Sequence, residues 1–171
     1  EIITEIADLA KQAFDNIAND FDNQMSIHDS KISQYETHNE LLETDKGFAS
    51  EEIYKAIQRE NSAKRELLEQ ERDSLQAELD SGKIEKYTDE WYDAVNTIAE
   101  VDNEIIQLDV DIENLQDSIN ELHWKKFDLL LDKFQAVSDE AQNLLDILEN
   151  MDAVDEFGNW TDEGITSLGL L

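Results

Sequence analysis

The stretch Thr88–Met151, TDEWYDAVNTIAEVDNEIIQLDVDIENLQDSINELHWKKFDLLLDKFQAVSDEAQNLLDILENM, passes more than sixty residues without a proline or glycine. Apolar side chains recur along it at three- and four-residue steps, the period of one helix face. After Trp91 they are Val95, Ile98, Val101, Ile105, Leu108, Ile112, Leu115, Ile119 and Leu122. They resume as Leu130, Phe134, Val137, Ala141, Leu144, Leu148 and Met151. The stripe is a narrow seam of the kind that packs against a partner helix, not the broad apolar face of a globular helix. A single helix over 88–151 would be about 90 Å long, so the expected object is a rod. Rods hold distances or partners more often than they carry out reactions.

Two faults modulate the seam. Val95, Ile98 and Val101 give a three-plus-three step that overwinds a coiled coil, and Leu122, Lys126, Leu130 and Phe134 give a run of fours that unwinds it. Trp124 and Phe127 lie at the second fault. Ordinary core filling accounts for them, and a widened face there offers room for a second neighbour.

Working outward toward the N-terminus, a second periodic segment covers about residues 2–44. Its seam is Ile2, Ile6, Leu9, Ala13, Ile17, Phe21, Met25, His28, Ile32, Tyr35 and Leu42, and Lys46 and Gly47 end it with a cation and a left-handed-capable residue. Between the two lies a helix over 50–80. Ser50 is the expected N-cap, with Glu51 and Glu52 in the first turn. Its stripe of Ile53, Ile57, Leu67, Leu75 and Leu79 is thin, and Glu60, Lys64 and Glu71 occupy seam positions. Such a helix must take stability from its neighbours. Ser81, Gly82 and Lys83 form a turn, and Thr88 caps the long helix with Asp89 and Glu90 behind it.

Short connections make consecutive helices antiparallel. The expected fold is therefore all-α: one elongated module over 1–171, an antiparallel bundle or coiled coil of three long helices (2–44, 50–80, 88–151) with a turn and short helix at 155–171. More than four-fifths of the chain should be helical. The third helix outreaches the second by about 45 Å, and that overhang must pack on the first helix or on another chain.

Composition agrees with this architecture. The 171 residues include no proline and no cysteine, and all five glycines stand where the apolar period stops. Absence of cysteine excludes disulfides, thiolate metal sites and a cysteine nucleophile. No apolar run approaches the roughly 20 residues of a membrane span. The chain opens at Glu1 without a methionine, inside a periodic segment, and reads as a piece of a longer polypeptide. Its net charge of −30 repels nucleic acid and anionic lipid and suits a basic partner. Residues 1–45 carry 11 acids and 2 bases, 46–86 carry 10 and 8, and 87–171 carry 22 and 3. The middle helix is thus the natural electrostatic neighbour of the two acidic ones. Relief of self-repulsion by mild acid or salt should raise the melting temperature.

No catalytic, cofactor or metal residues are assigned. With Gly158 at the sixth position of a calcium loop, Ala153 and Phe157 would fill two ligand positions and Gly164 the twelfth, so that pattern fails. The residues three before His28, His38 and His123 are Met25, Tyr35 and Asn120, where a di-iron bundle needs glutamate. His28 falls on the first seam and reads as a polar register marker. Neighbouring acids are too common here to single out an acid–base pair, and the chain is expected not to be an enzyme.

The run Glu140, Ala141, then Leu144 to Leu148, followed by Gly158, Asn159, Trp160, Thr161, Asp162, Glu163, Gly164, Ile165 and the Gly169, Leu170, Leu171 ending, resembles phage tail tape measure proteins of Firmicutes bacteriophages and prophages. These often show a G-x-x-T-D-E-G-x-x-x-x-G-L run after a long helix. Weaker likenesses are Gly47, Phe48, Ser50 and Tyr54, then Ser81, Gly82, Lys83 and Ile84 with Glu90 and Trp91, then Trp124 with Phe127. Together they span about residues 15–171 and carry no site residues.

The resemblance implies a virion structural protein: a segment of a long helical chain, packed in several copies in the tail tube, that sets tail length. It implies self-association, contacts with tail tube or tail chaperone proteins, and a location in the tail lumen after assembly in the bacterial cytoplasm. Two other readings fit the residues alone. One is a coiled-coil scaffold or spacer that binds protein partners, and the other is an acidic DNA mimic that inhibits a nucleic-acid-binding enzyme.

Overall fold

The computed structural model describes residues 2–150, 155 and 159–167. It is an all-α helical bundle, 89% helical with no strand among the described residues. Helix α1 spans Ile2–Lys46, α2 Glu51–Asp80, α3 Asp89–Asn150 and α4 Asp162–Ser167. The chain divides into two compact units, Glu1–Leu122 and His123–Leu171, with the boundary inside α3, where a single module over 1–171 was expected.

In the first unit, cross-helix pairs fix the direction of each element. Lys64 reaches Asp29 at 2.6 Å and Ser50 reaches Asn39 at 2.6 Å, so α2 runs antiparallel to α1. Arg65 meets Asp109 at 2.6 Å and Arg72 meets Asp102 at 3.6 Å, so α3 runs antiparallel to α2. The cations of α2 thus reach carboxylates on both flanking helices, as its near-neutral charge balance implies. Exposed pairs of this kind contribute only about 0.2 to 1 kcal/mol each, so they align the helices more than they hold them.

Apolar burial holds them. Ala10, Phe14 and Met25 of α1, Leu68, Leu75 and Leu79 of α2, and Ala94, Ile98, Val101, Ile105 and Leu108 of α3 form one core, closed by Ile84 from the connection. Ile119 and Leu122 extend the buried seam of α3 to the end of the unit.

Two details of the helix faces differ from the sequence expectation. At the start of α1, Ile6 and Leu9 are exposed, and Ala10 and Phe14 are buried in their place. A seam extrapolated in consecutive fours rotates off a 3.6-residue helix, and burial of the large Phe14 ring selects the face instead. Ile2, also assigned to that seam, lies outside the residues whose side chains are described. On α2 the buried set is Ile57, Asn61, Leu68, Glu71, Leu75 and Leu79. Leu68 and Asn61 continue the heptad that the thin stripe left incomplete.

The connections are set by backbone geometry. Gly47 takes φ 82° and donates its N–H to Glu43 O, closing α1 as expected. Thr88 Oγ1 accepts the Trp91 N–H at 3.3 Å and caps α3. Ser50 makes no side-chain cap. Its own backbone N–H instead donates to Asn39 Oδ1, a buried side chain of α1, so the entry to α2 is fixed across the bundle. In the second turn Gly82 has φ 75°, and Tyr87, a bulky residue, is held at φ 68°. The left-handed region is costly for such a side chain, and the ring contact of Tyr87 with Trp91, 5.4 Å between centroids, compensates in part.

Candidate functional site

Two regions of the described chain depart from a plain apolar bundle. One is a polar layer inside the first unit, and the other is the surface of α3 past Leu122.

The polar layer begins at His28, which the sequence marks as a register residue. The structure places it half-buried, with Nδ1 2.6 Å from Glu60 Oε2. Lys31 approaches the same oxygen at 3.2 Å. The hydrogen bond from His28, joined by those from Lys31, holds the Glu60 carboxyl below its ordinary pKa. A groove lined in part by Asp29, Glu36, Asn61, Lys64 and Asp111 lies near this layer, open to solvent, with Lys64 already engaged by Asp29.

Three helical turns from Glu60 along α2, Glu71 is only 3% exposed, and its Oε2 finds no hydrogen-bond partner. Burial pushes its pKa up to about 7, and the nearby Asp22 and Glu104 carboxylates add to the effect. Glu71 therefore titrates inside the core near neutral pH. The sequence places Glu71 on the seam but gives no sign of its isolation, because its acidic neighbours come from the two other helices. Among the described residues, Asn39 Nδ2 is the other buried side-chain polar atom left unpaired.

Such a layer can specify register and make stability depend on pH. Among the described residues no group of three or more His, Asp, Glu or Cys side chains is placed to hold a metal ion. Of the run weighed for calcium, Asp152, Ala153, Phe157 and Gly158 lie outside the described residues. Asp155 accepts the Asn159 N–H at 2.8 Å, and Thr161 Oγ1 accepts the Gly164 N–H at 3.1 Å, which starts α4.

The second region is larger. Along α3, Trp124, Phe127, Leu130, Leu131, Phe134 and Val137 are 54% to 78% exposed, and Leu144 and Leu145 about half exposed. Trp124 and Phe127 meet edge to face at 6.1 Å. Every residue from Phe127 to Ile147 is exposed, so the seam that is buried through Leu122 continues uncovered for more than five turns. Leu148 and Met151, assigned to the same seam, lie outside the residues whose side chains are described. Contiguous apolar exposure of this extent is uncommon on monomeric proteins. Among the described residues no helix is long and apolar enough to cross a membrane.

A scan of protein-family models finds none that matches the chain, and neither a curated protein nor a solved structure matches it.

Proposed function

We propose that the chain is a structural, non-catalytic assembly part: a segment of a phage tail tape measure or minor tail protein that associates with copies of itself inside the tail tube. The observation that supports this reading is the uncovered apolar stripe of α3, borne on a helix that runs unbroken for 62 residues. A helix of that kind spans distance and offers a lateral face at the same time. The Gly158 to Leu171 likeness supplies the finer assignment, with tail tube and tail chaperone proteins as further partners.

The test is genetic. The parent reading frame should be long and adjoin tail tube genes. In-frame removal of codons 89–150 should shorten the tail by about 90 Å if α3 contributes its full helical rise. Tails of unchanged length in assembled particles would contradict the proposal.

The fold-back of α1 and α2 favours a second reading, a spacer or scaffold for protein partners. Antiparallel helices double back and add less length per residue than helices that run one way. A parent gene with no tail neighbours would select it.

A further inference from the structure

Past Leu122 the apolar positions of α3 form an unbroken heptad. Phe127, Leu130, Phe134, Val137, Ala141 and Leu144 follow steps of three, four, three, four and three. That 3.5-residue period keeps a seam facing a partner helix. Phe127, Phe134 and Ala141 take the a positions, and Leu130, Val137 and Leu144 the d positions. On one flank the g positions hold Lys126, Lys133 and Glu140. On the other, Trp124, Leu131 and Leu145 widen the apolar face.

We infer that this seam binds the same seam of a second copy, running antiparallel about a twofold axis between Gln135 and Ala136. Side-chain size selects the direction. In this register Phe127 shares a layer with the partner's Leu144, Leu130 with the partner's Ala141, and Phe134 with the partner's Val137. Each layer joins a larger side chain to a smaller one, and each occurs twice, as an isologous interface requires. A parallel, in-register pair would stack Phe127 on Phe127, Phe134 on Phe134 and Ala141 on Ala141, crowding two layers and leaving a void in the third.

Charge selects the same direction. The antiparallel register sets Lys133 beside the partner's Glu140 and repeats the contact across the axis. A parallel pair would set Lys133 beside Ser138 and Glu140 beside Leu145, with no charge matched. More broadly, residues 124–135 carry three lysines against two aspartates and residues 136–147 carry three acids and no base, so antiparallel overlap sets the less acidic half against the more acidic one. The area is sufficient. At the exposures found, the stripe offers roughly 800 Å² per copy, about the contribution of each partner to a standard stable interface.

This pairing belongs to the free chain and does not rest on the tail reading. The chain has no cysteine, so single cysteines can carry spin labels on the full-length protein. Asp128→Cys, Gln135→Cys and Gln142→Cys fall at the same heptad position. At about 200 μM, well above a micromolar dissociation constant, label pairs should lie closest at 135. At 128 and 142 they should be separated by about 20 Å more along the axis. Three equal separations would mean parallel pairing and would overturn the inference. A strictly monomeric mass by sedimentation would overturn it too, leaving the seam to another segment or a different protein.

The charge arm tests the register. Lys133→Glu and Glu140→Lys should each weaken association about tenfold at low salt, and the two together should restore it to within about twofold. A double variant as weak as the single ones would overturn the register.

Discussion

Glu71→Leu is expected to stabilise the three-helix unit by on the order of 2 to 3 kcal/mol at pH 8, and by much less at pH 5. The sign follows from linkage. The folded carboxyl keeps its proton up to about pH 7, whereas the unfolded one releases it near 4.5. Between those values the unfolded state is favoured progressively, so the stability of the wild-type chain falls as pH rises through the window. The leucine variant lacks this dependence and matches the packed volume of its neighbours Leu68 and Leu75.

Glu60 contributes with the opposite sign. Its pKa is held down by His28 and Lys31, so its contribution is lost only as pH drops below about 4.5. Urea denaturation at the two pH values separates the contributions. A wild-type melting temperature that falls steadily from pH 7 to 5 would show that paired carboxylates dominate and that Glu71 does not carry the effect.

Leu75→Ala should lower stability by about 3 to 4 kcal/mol, because the side chain is fully buried where all three helices meet and the surrounding rods close the cavity poorly. The contrast is Leu130→Ala, on the same protein and of the same chemistry. Leu130 is 59% exposed, and at concentrations where the chain is monomeric its loss should cost less than about 0.5 kcal/mol. Denaturation followed by far-ultraviolet circular dichroism measures both. Equal losses at the two positions would mean that α3 is covered beyond Leu122 within a single chain.

Much of this architecture is legible in the residues. The breaker-free run from Thr88 and the glycines at 47 and 82 place three helices to within about two residues of their observed ends. The excess length of α3 over α2 is itself a sign of the exposed stripe. Periodicity says less where two faces compete. At Ile6, Leu9, Ala10 and Phe14 the pattern admits two stripes, and the decision belongs to Ile84 and Ala94, which come from the second connection and from α3 and line the same pocket as Phe14.

Ser50 stands at the N-cap of α2 as its position implies, but its hydroxyl makes no cap bond, for a related reason. Ser50 satisfies every local rule for an N-cap, yet a side chain of α1, Asn39, supplies the bond that orders this end. The isolation of Glu71 was likewise invisible, because its environment is assembled from Asp22 and Glu104, each more than thirty residues away in sequence. Local chemistry sets the elements here, and tertiary neighbours set which polar groups end up in the core.

The exposed stripe also bears on how the chain behaves alone. An isolated helical extension of roughly 25 residues is marginal in water, so α3 past Leu122 depends on a covering surface for its persistence. Hydrogen exchange read at two protein concentrations tests this most directly. Amides of residues 127–147 should exchange quickly at about 1 μM and become protected at about 200 μM, as mass action populates the paired state, while those of residues 57–79 stay equally protected at both. Protection of 127–147 that is the same at the two concentrations would contradict the claim that a second copy of this chain covers the stripe.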